Sequence, residues 1–514
     1  MSTPHLPQEK TPPGSRERGM SPWLGRGVPP SPDLIERQRI ERELTAFWAP
    51  WSPPVAPATA LSALFDWSMH LMMSPAKQWE LMDFAAQQWH RAWMLLADIE
   101  CGHPWCVDPL PQDKRFADER WHQPPFAPLA QNFLLWQQWW ERATSAVPGL
   151  QSHHEQMVEF AARQWLDLVS PSNFVATNPV VLEQTAREHG MNLLRGAAHA
   201  IDDLEREWLD QPPAGAEMYE VGVGTACTPG KVVLRNALME LLQYTPTTDT
   251  VHAEPVLLVP AWIMKYYVLD LTPQESLVKY LVDHGFTVFA ISWKNPLPED
   301  RDLGLDDYRR LGVLAALDAL EHIVPGRAVH AVGYCLGGTL LALTAAALGR
   351  AGNHRLKTMT LLAAQTDFSE PGELSLFIDE SQAEHLETLM SRRGLLEKEQ
   401  MKISFQLLRS RDLIWSYRLM NYLLGERQAL RALMAWNADG TRLPYRMHSE
   451  YLRAFYLHNL LARGEYVVDG ESVDLTDIHV PIFSVGTVQD HVAPWRSVYR
   501  LHRLTDTDQT FVLA

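Results

Sequence analysis

One short stretch sets the chemistry open to this sequence: Gly333-Tyr334-Cys335-Leu336-Gly337, followed by Gly338 and Thr339. The apolar run Ala328–Val332 (AVHAV) leads into it, and the helical run Thr339–Leu348 leads out. A G-x-nucleophile-x-G turn between a strand and a helix is a nucleophile elbow, with cysteine where serine is commoner. Such a turn strains the backbone of its nucleophile and brings the flanking positions against neighbouring elements. Gly333 and Gly337 remove the side chains that would collide there. The departing helix turns its N-terminus toward the sulfur, which favours thiolate over thiol. The Leu336 amide is placed to stabilise a tetrahedral oxyanion. A buried structural cysteine in a glycine-rich turn would also read G-x-C-x-G, but the flanking strand and helix favour the nucleophile.

A nucleophile of this kind works with an acid and a histidine, in the chain order nucleophile, acid, histidine. The acid follows a late strand. Pro481–Val485 (PIFSV) reads as one, and Asp490 lies just beyond it in Gly486–Trp495 (GTVQDHVAPW). The histidine should follow the next strand, Gln509–Leu513 (QTFVL), and the sequence reaches Ala514 directly after it. His491 and His502 both precede that strand. His491 could serve only as a weak substitute, through an unusual loop. The third member is therefore expected beyond Ala514, and the domain is expected to be C-terminally incomplete. A polypeptide ending at Ala514 is expected to be nearly inactive.

The elements that must position these residues are legible around them. Glu254–Pro260 (EPVLLVP), Thr287–Ser292 (TVFAIS), Ala328–Val332, Leu356–Ala363 (LKTMTLLA), Pro481–Val485 and Gln509–Leu513 are short apolar runs with the look of buried strands. Amphipathic stretches at Glu275–His284, Asp306–Ile323 and Thr339–Leu348 separate most of them. Such alternation predicts a parallel sheet covered on both faces. With the elbow, it predicts an α/β-hydrolase fold over residues 217–514. The interval 366–453 shows no core strand and is too long for a simple connection, so it reads as an inserted helical cap over the site. Residues 34–216 read as a mostly helical N-terminal domain, and residues 1–33, rich in Pro, Ser, Gly and charge, as a disordered tail.

Composition narrows the function further. The net charge of −17 argues against nucleic-acid or anionic-membrane binding. No apolar run approaches the roughly 18 residues of a membrane span. No signal peptide is visible. Four cysteines among 514 residues are too few for a disulfide framework, which points to a reducing cytoplasm. Cys101, His103 and Cys106 lie close together, but no second Cys/His pair with zinc spacing accompanies them, so no metal is expected. Of 19 tryptophans, 14 precede position 210. That enrichment reads first as helix packing and second as contact with an apolar polymer or granule surface.

Beyond the elbow, several segments resemble the polyhydroxyalkanoate synthases. They are Pro260–Leu271 (PAWIMKYYVLDL), Ser292–Pro296 (SWKNP), Asp412–Gly425 (DLIWSYRLMNYLLG), Trp436–Pro444 (WNADGTRLP) and Gln489–Trp495 (QDHVAPW). Ser170–Pro179 (SPSNFVATNP) and Phe65–Leu81 (FDWSMHLMMSPAKQWEL) extend the likeness toward the N-terminus, so that it runs from about Leu61 to Ala514. The resemblance implies a Cys–Asp–His triad in which Cys335 takes the acyl group of (R)-3-hydroxyacyl-CoA and Asp490 helps to activate a hydroxyl. It implies a second oxyanion amide from the loop at Trp262. It also implies the single-subunit kind of synthase, a homodimer, a growing polyester chain, attachment to polymer granules in the cytoplasm, and no cofactor beyond the coenzyme A thioester substrate. Where the family usually has Asn, this chain has Met264, in the same loop; altered shape or substrate range is expected there. Two other functions fit parts of the pattern. One is a Cys-dependent hydrolase, a thioesterase or lactone hydrolase. The other is a non-catalytic granule-associated relative without the histidine.

Overall fold

A computed structural model of the protein describes residues 56–98, 107–110 and 113–514. The tail at 1–33 and the cluster Cys101, His103 and Cys106 lie outside the described residues, as does the start of the helical region. The first described elements are all helical: α1 (Pro57–Met72), α2 (Pro75–Asp98), α3 (Phe126–Thr144), α4 (Ser152–Val169), α5 (Pro179–Arg187) and α6 (Met191–Trp208). Local signals account for several of their ends. Asn178 caps α5 through its side-chain oxygen, which accepts from the amides of Val180 and Val181, and Pro179 occupies the first turn.

The second half is an eight-stranded sheet. Its strands are β1 (Gly230–Arg235), β2 (Met239–Tyr244), β3 (Val256–Val259), β4 (Val288–Trp293), β5 (Val329–Tyr334), β6 (Leu356–Leu362), β7 (Ile482–Gly486) and β8 (Gln509–Leu513). Their spatial order is β1-β2-β4-β3-β5-β6-β7-β8. From β4 to β8 every neighbouring pair is parallel, while β1 and β2 are antiparallel to each other and β2 to β4. The six apolar runs of the sequence are the six strands β3–β8. The hairpin β1–β2 was not anticipated, because its outer strand is exposed and carries charge.

Burial follows from the covering helices. All four residues of β3 are buried, as a central parallel strand requires. The helix Leu336–Arg350 that leaves the elbow is buried continuously from Leu336 to Leu348. A helix apolar on every side belongs inside, and this one is enclosed in a core that also takes Leu257, Val259, Met359 and Leu361 from the strands.

The interval 366–453 carries helices Glu380–Arg393, Lys398–Leu408, Ala432–Ala438 and Tyr445–Tyr451, joined by π-helical turns at Arg411–Trp415 and Leu419–Leu423. The N-terminal helices meet this interval partly through charge. Asp113 and Asp167, with side chains 1% and 2% exposed, are shared between Arg115 and Arg411; Arg115 and Arg411 each reach Asp167 at 3.0 Å. Farther along, Arg427 binds both Asp202 and Asp203 of α6 at 2.6 Å, and the hydroxyls of Tyr417 and Tyr422 donate to Asp203. A Cβ on Gly196 would come within 1.8 Å of the Tyr422 carbonyl oxygen, so α6 can approach the cap this closely only with glycine there.

Candidate active site

Strand β5 delivers Cys335 to the turn, and the turn is strained. Cys335 has φ 51° and ψ −125°, a positive φ that a side-chain-bearing residue seldom adopts. Its amide donates to the Leu362 carbonyl at 2.9 Å, and its own carbonyl accepts from Gly338 at 2.9 Å. The glycines are there for space. A Cβ on Gly333 would lie 2.4 Å from Gly338 Cα, and one on Gly337 would lie 2.1 Å from the Val259 carbonyl oxygen and 2.5 Å from that of Pro260. The end of β3 and the loop after it are thereby pressed against the elbow.

That loop carries Trp262 and Met264. The Trp262 side chain is buried against Tyr308 and Tyr451, with ring centroids 5.3 and 6.3 Å away, and its carbonyl accepts from Thr441 Oγ1 at 2.6 Å. Met264 pairs with Gly440 of the cap and packs in the cluster of Tyr267, Trp436 and Tyr334. The cap is thus sewn to the loop beside the elbow.

The electrostatics of Cys335 differ from the sequence expectation. Burial pushes the thiol up to about 11; the Leu336 amide, hydrogen-bonded to the sulfur, acts the other way, and the charge of Asp490 adds to the rise. Desolvation outweighs the helix N-terminus. The sulfur is therefore held as the neutral thiol at neutral pH.

Asp490 sits in the turn after β7. Its Oδ1 accepts from the amides of Val492 and Ala493, both at 2.9 Å, which fixes the carboxylate in a tight loop. Its charge bears on Cys335 and on Tyr334. Thr487–His491 and Ala514 line an open cleft at this point. The Leu336 amide thus meets the Cys335 sulfur, and the charge of Asp490 is felt there. His491 lines the same cleft; burial lowers its affinity for a proton, Arg409 lowers it further, and its other charged neighbours are Glu373, Asp490 and Arg163. His502 bonds Gln509 at 2.7 Å and stacks on Tyr499.

Three tyrosines near the sulfur escaped sequence reasoning. Tyr334 precedes the cysteine, Tyr451 comes from the cap and Tyr456 from just beyond it; burial raises all three, and each feels the Cys335 charge. Tyr451 and Tyr456 hydrogen-bond each other, with ring centroids 5.5 Å apart. Residues five apart fall on different sides of an α-helix. Here the chain passes into a π-helical turn at Leu452–Leu457, whose i→i+5 pattern brings them together. The aromatic-rich segment Tyr451–Tyr456 was the available signal, and its turn type was not.

Comparison with known proteins bears on the family and the fold. The model for the poly-beta-hydroxybutyrate polymerase (PhaC) N-terminus matches residues 112–281, a second polymerase N-terminal model matches 36–77, and the alpha/beta hydrolase fold matches 254–514. A poly(3-hydroxyalkanoate) polymerase of Methylorubrum extorquens is 44% identical over 396 residues, 76% of this chain and 66% of the relative. The poly(3-hydroxyalkanoate) polymerase subunit PhaC of Cupriavidus necator is 35% identical over 448 residues, 86% of this chain and 75% of the relative. The chain thus spans just under two thirds of the Methylorubrum protein and three quarters of the Cupriavidus one. Among solved structures, a putative lipase from Sulfolobus solfataricus is 13% identical with a TM-score of 0.34, covering 55% of this chain and 91% of the lipase. A likeness of that degree adds nothing to the strand order already described.

Proposed function

The chain belongs to the poly(3-hydroxyalkanoate) polymerase family, and from that premise we propose that it polymerises (R)-3-hydroxyacyl-CoA into polyester through an acyl-enzyme on Cys335. The observation that carries the proposal is the geometry of Cys335: a positive-φ elbow residue with the Leu336 amide on its sulfur and the Asp490 charge within reach. As its proton leaves, the sulfur attacks the thioester carbonyl. The new Cys335–acyl bond forms, the bond to coenzyme A breaks, and coenzyme A departs as the thiol. Sulfur replaces sulfur, so the exchange is nearly balanced and the acyl group stays activated. A 3-hydroxyl then attacks that carbonyl, forming the ester bond and returning the proton and electron pair to Cys335. Asp490 promotes loss of the hydroxyl proton. The Leu336 amide holds the oxyanion in both steps, and an amide of the Trp262 loop assists it. The proton acceptor for the thiol is the histidine that the family pattern puts after β8, with His491 as the substitute.

The same reading includes a homodimer on polymer granules in the cytoplasm. Large apolar side chains on α1 and α2 and at the turn between them support the granule contact: Phe65, Met73, Trp79 and Trp89 are each more than 60% exposed. No helix among the described residues is long and apolar enough to cross a membrane.

The test is a comparison of the full-length wild type with Cys335→Ala and Asp490→Asn, using labelled 3-hydroxybutyryl-CoA. Cys335→Ala should form no covalent adduct by mass spectrometry. Asp490→Asn should still load Cys335 but elongate slowly, with a loss of about 10²–10⁴-fold. An adduct of full yield on the alanine variant overturns the proposal. Release of free 3-hydroxy acid without polymer assigns the protein to the hydrolases instead.

A further inference from the structure

The loop that carries Asp490 has a brace, and the brace rests on the N-terminal helices. Gly372 has φ 79° and lies so close to the loop that a Cβ there would sit 2.4 Å from the His491 carbonyl oxygen and 3.0 Å from that of Val492. The amide of Glu373 donates to the same His491 carbonyl at 2.8 Å. The chain then makes a 3-10 turn, Glu373–Phe377, whose Leu376 and Phe377 are buried. Their partners are not in the sheet. They pack with Ala63 and Trp67 of α1 and with Met157, Val158 and Phe160 of α4. The rings of Phe160 and Phe377 meet edge to face with centroids 5.6 Å apart, and Arg163, one turn along α4, lies 3.8 Å from Glu373. A second tie holds the same helix to the cap, through Asp167 to Arg411 at 3.0 Å.

We infer that α4 is a positioning element for Asp490, acting through the strap Gly372–Phe377, with Phe160 as its principal positioning residue. The physical case is one of leverage. Asp490 is held by two amides of its own loop, Val492 and Ala493; ahead of Asp490 that loop is tied to Ala514 through the Val488 amide, and beyond it to the strap through the His491 carbonyl. Cys335, in contrast, is fixed by the strands and the elbow helix. Loosening the strap therefore lets the carboxylate drift while the nucleophile stays in place. A shift of about 1 Å at a reacting group costs up to about a hundredfold in rate. This gives the N-terminal helical region a part in the chemistry of elongation without its touching substrate.

The inference rests on Asp490 as the elongation acid, and the experiment separates the two. Full-length wild type, Asp490→Asn, Phe160→Ala, Phe160→Leu and Gly372→Ala are measured for first acyl loading of Cys335, for steady-state elongation, and for amide exchange at Val492 and Ala493. Phe160→Ala should lower elongation about tenfold or more, change first loading by less than about twofold, and speed exchange of the two amides about tenfold. Phe160→Leu, which keeps much of the packing, should recover most of the elongation rate. Gly372→Ala pushes on the loop from the strap itself and should give the same split without any change in α4, so the result does not depend on Phe160→Ala folding well. Loading and elongation falling together, or elongation unchanged in both Phe160→Ala and Gly372→Ala, overturns the inference. Normal elongation by Asp490→Asn removes the reading beneath it instead.

Discussion

Two regions of this molecule are held together by different physics. Around the elbow, cohesion comes from backbone and apolar side chains in direct contact: Gly337 against the carbonyls of Val259 and Pro260, and a helix buried on every side. Where the N-terminal helices meet the cap, the apolar contact of Phe160 with Phe377 is joined by shared charges, with Asp113, Asp167, Arg115 and Arg411 in one group and Asp202, Asp203 and Arg427 in another. The first kind of contact has no slack, because interiors are close-packed and strain spreads through them. The second is a set of ion pairs whose strength depends on every partner remaining in place. Cys335 thus stands on the rigid part, and the surroundings of Asp490 stand partly on the adjustable part.

The largest expected effect tests the rigid side. Gly337→Ala places a methyl group against two backbone carbonyls that belong to the sheet. It should cost about 4–5 kcal/mol or more in stability, read as a lowered urea midpoint. A cost under about 1 kcal/mol would mean that the elbow can yield, and the contrast between the two regions would fail.

Next comes the charged seam. Asp167→Ala removes one of the two buried carboxylates that Arg115 and Arg411 share, leaving only Asp113, and should cost about 3 kcal/mol. The loss should appear first as proteolytic cutting near Arg411–Arg427, with the elbow helix still protected. Cutting at both places together would show that the regions unfold as one unit.

The smallest expected effect concerns the cap where it packs on the sheet core. His448 is buried, and burial alone pulls its pKa from 6.5 down to about 4. The unfolded chain takes up a proton below pH 6.5 that the folded chain refuses until about pH 4. Its contribution to stability is therefore complete above 6.5 and falls away between 6.5 and 4, by about 3 kcal/mol in total. His448→Gln should flatten that part of the stability–pH curve. An unchanged slope would place the acid sensitivity elsewhere and leave the cap no softer than the sheet.

The sequence by itself determined a good deal. Strands β3–β8 were readable because each is a short apolar run, whatever it pairs with; β3 and β4 are buried on both faces, whereas β8 at the sheet edge is largely exposed. The elbow was readable because its glycines answer to a local collision, and the position of Asp490 because it lies a few residues beyond a readable strand. All of these depend on neighbours in the chain. Tertiary structure decided the rest. The hairpin β1–β2 takes its place from pairing with β4, about fifty residues away, and its exposed outer strand carries no apolar signature. The sequence favoured a thiolate at Cys335 from the helix N-terminus, a local feature. The fold favours the thiol, because its burial is assembled from cap and sheet, and desolvation is a sum over everything that excludes water. The meeting of Tyr451 with Tyr456 needed a π-helical turn, the sharing of Asp167 by two arginines needed residues 52 and 244 positions away, and the strap beneath the Asp490 loop needed α4. Spacing along a chain records which residues can share a face of one element, but not which elements will press those faces together.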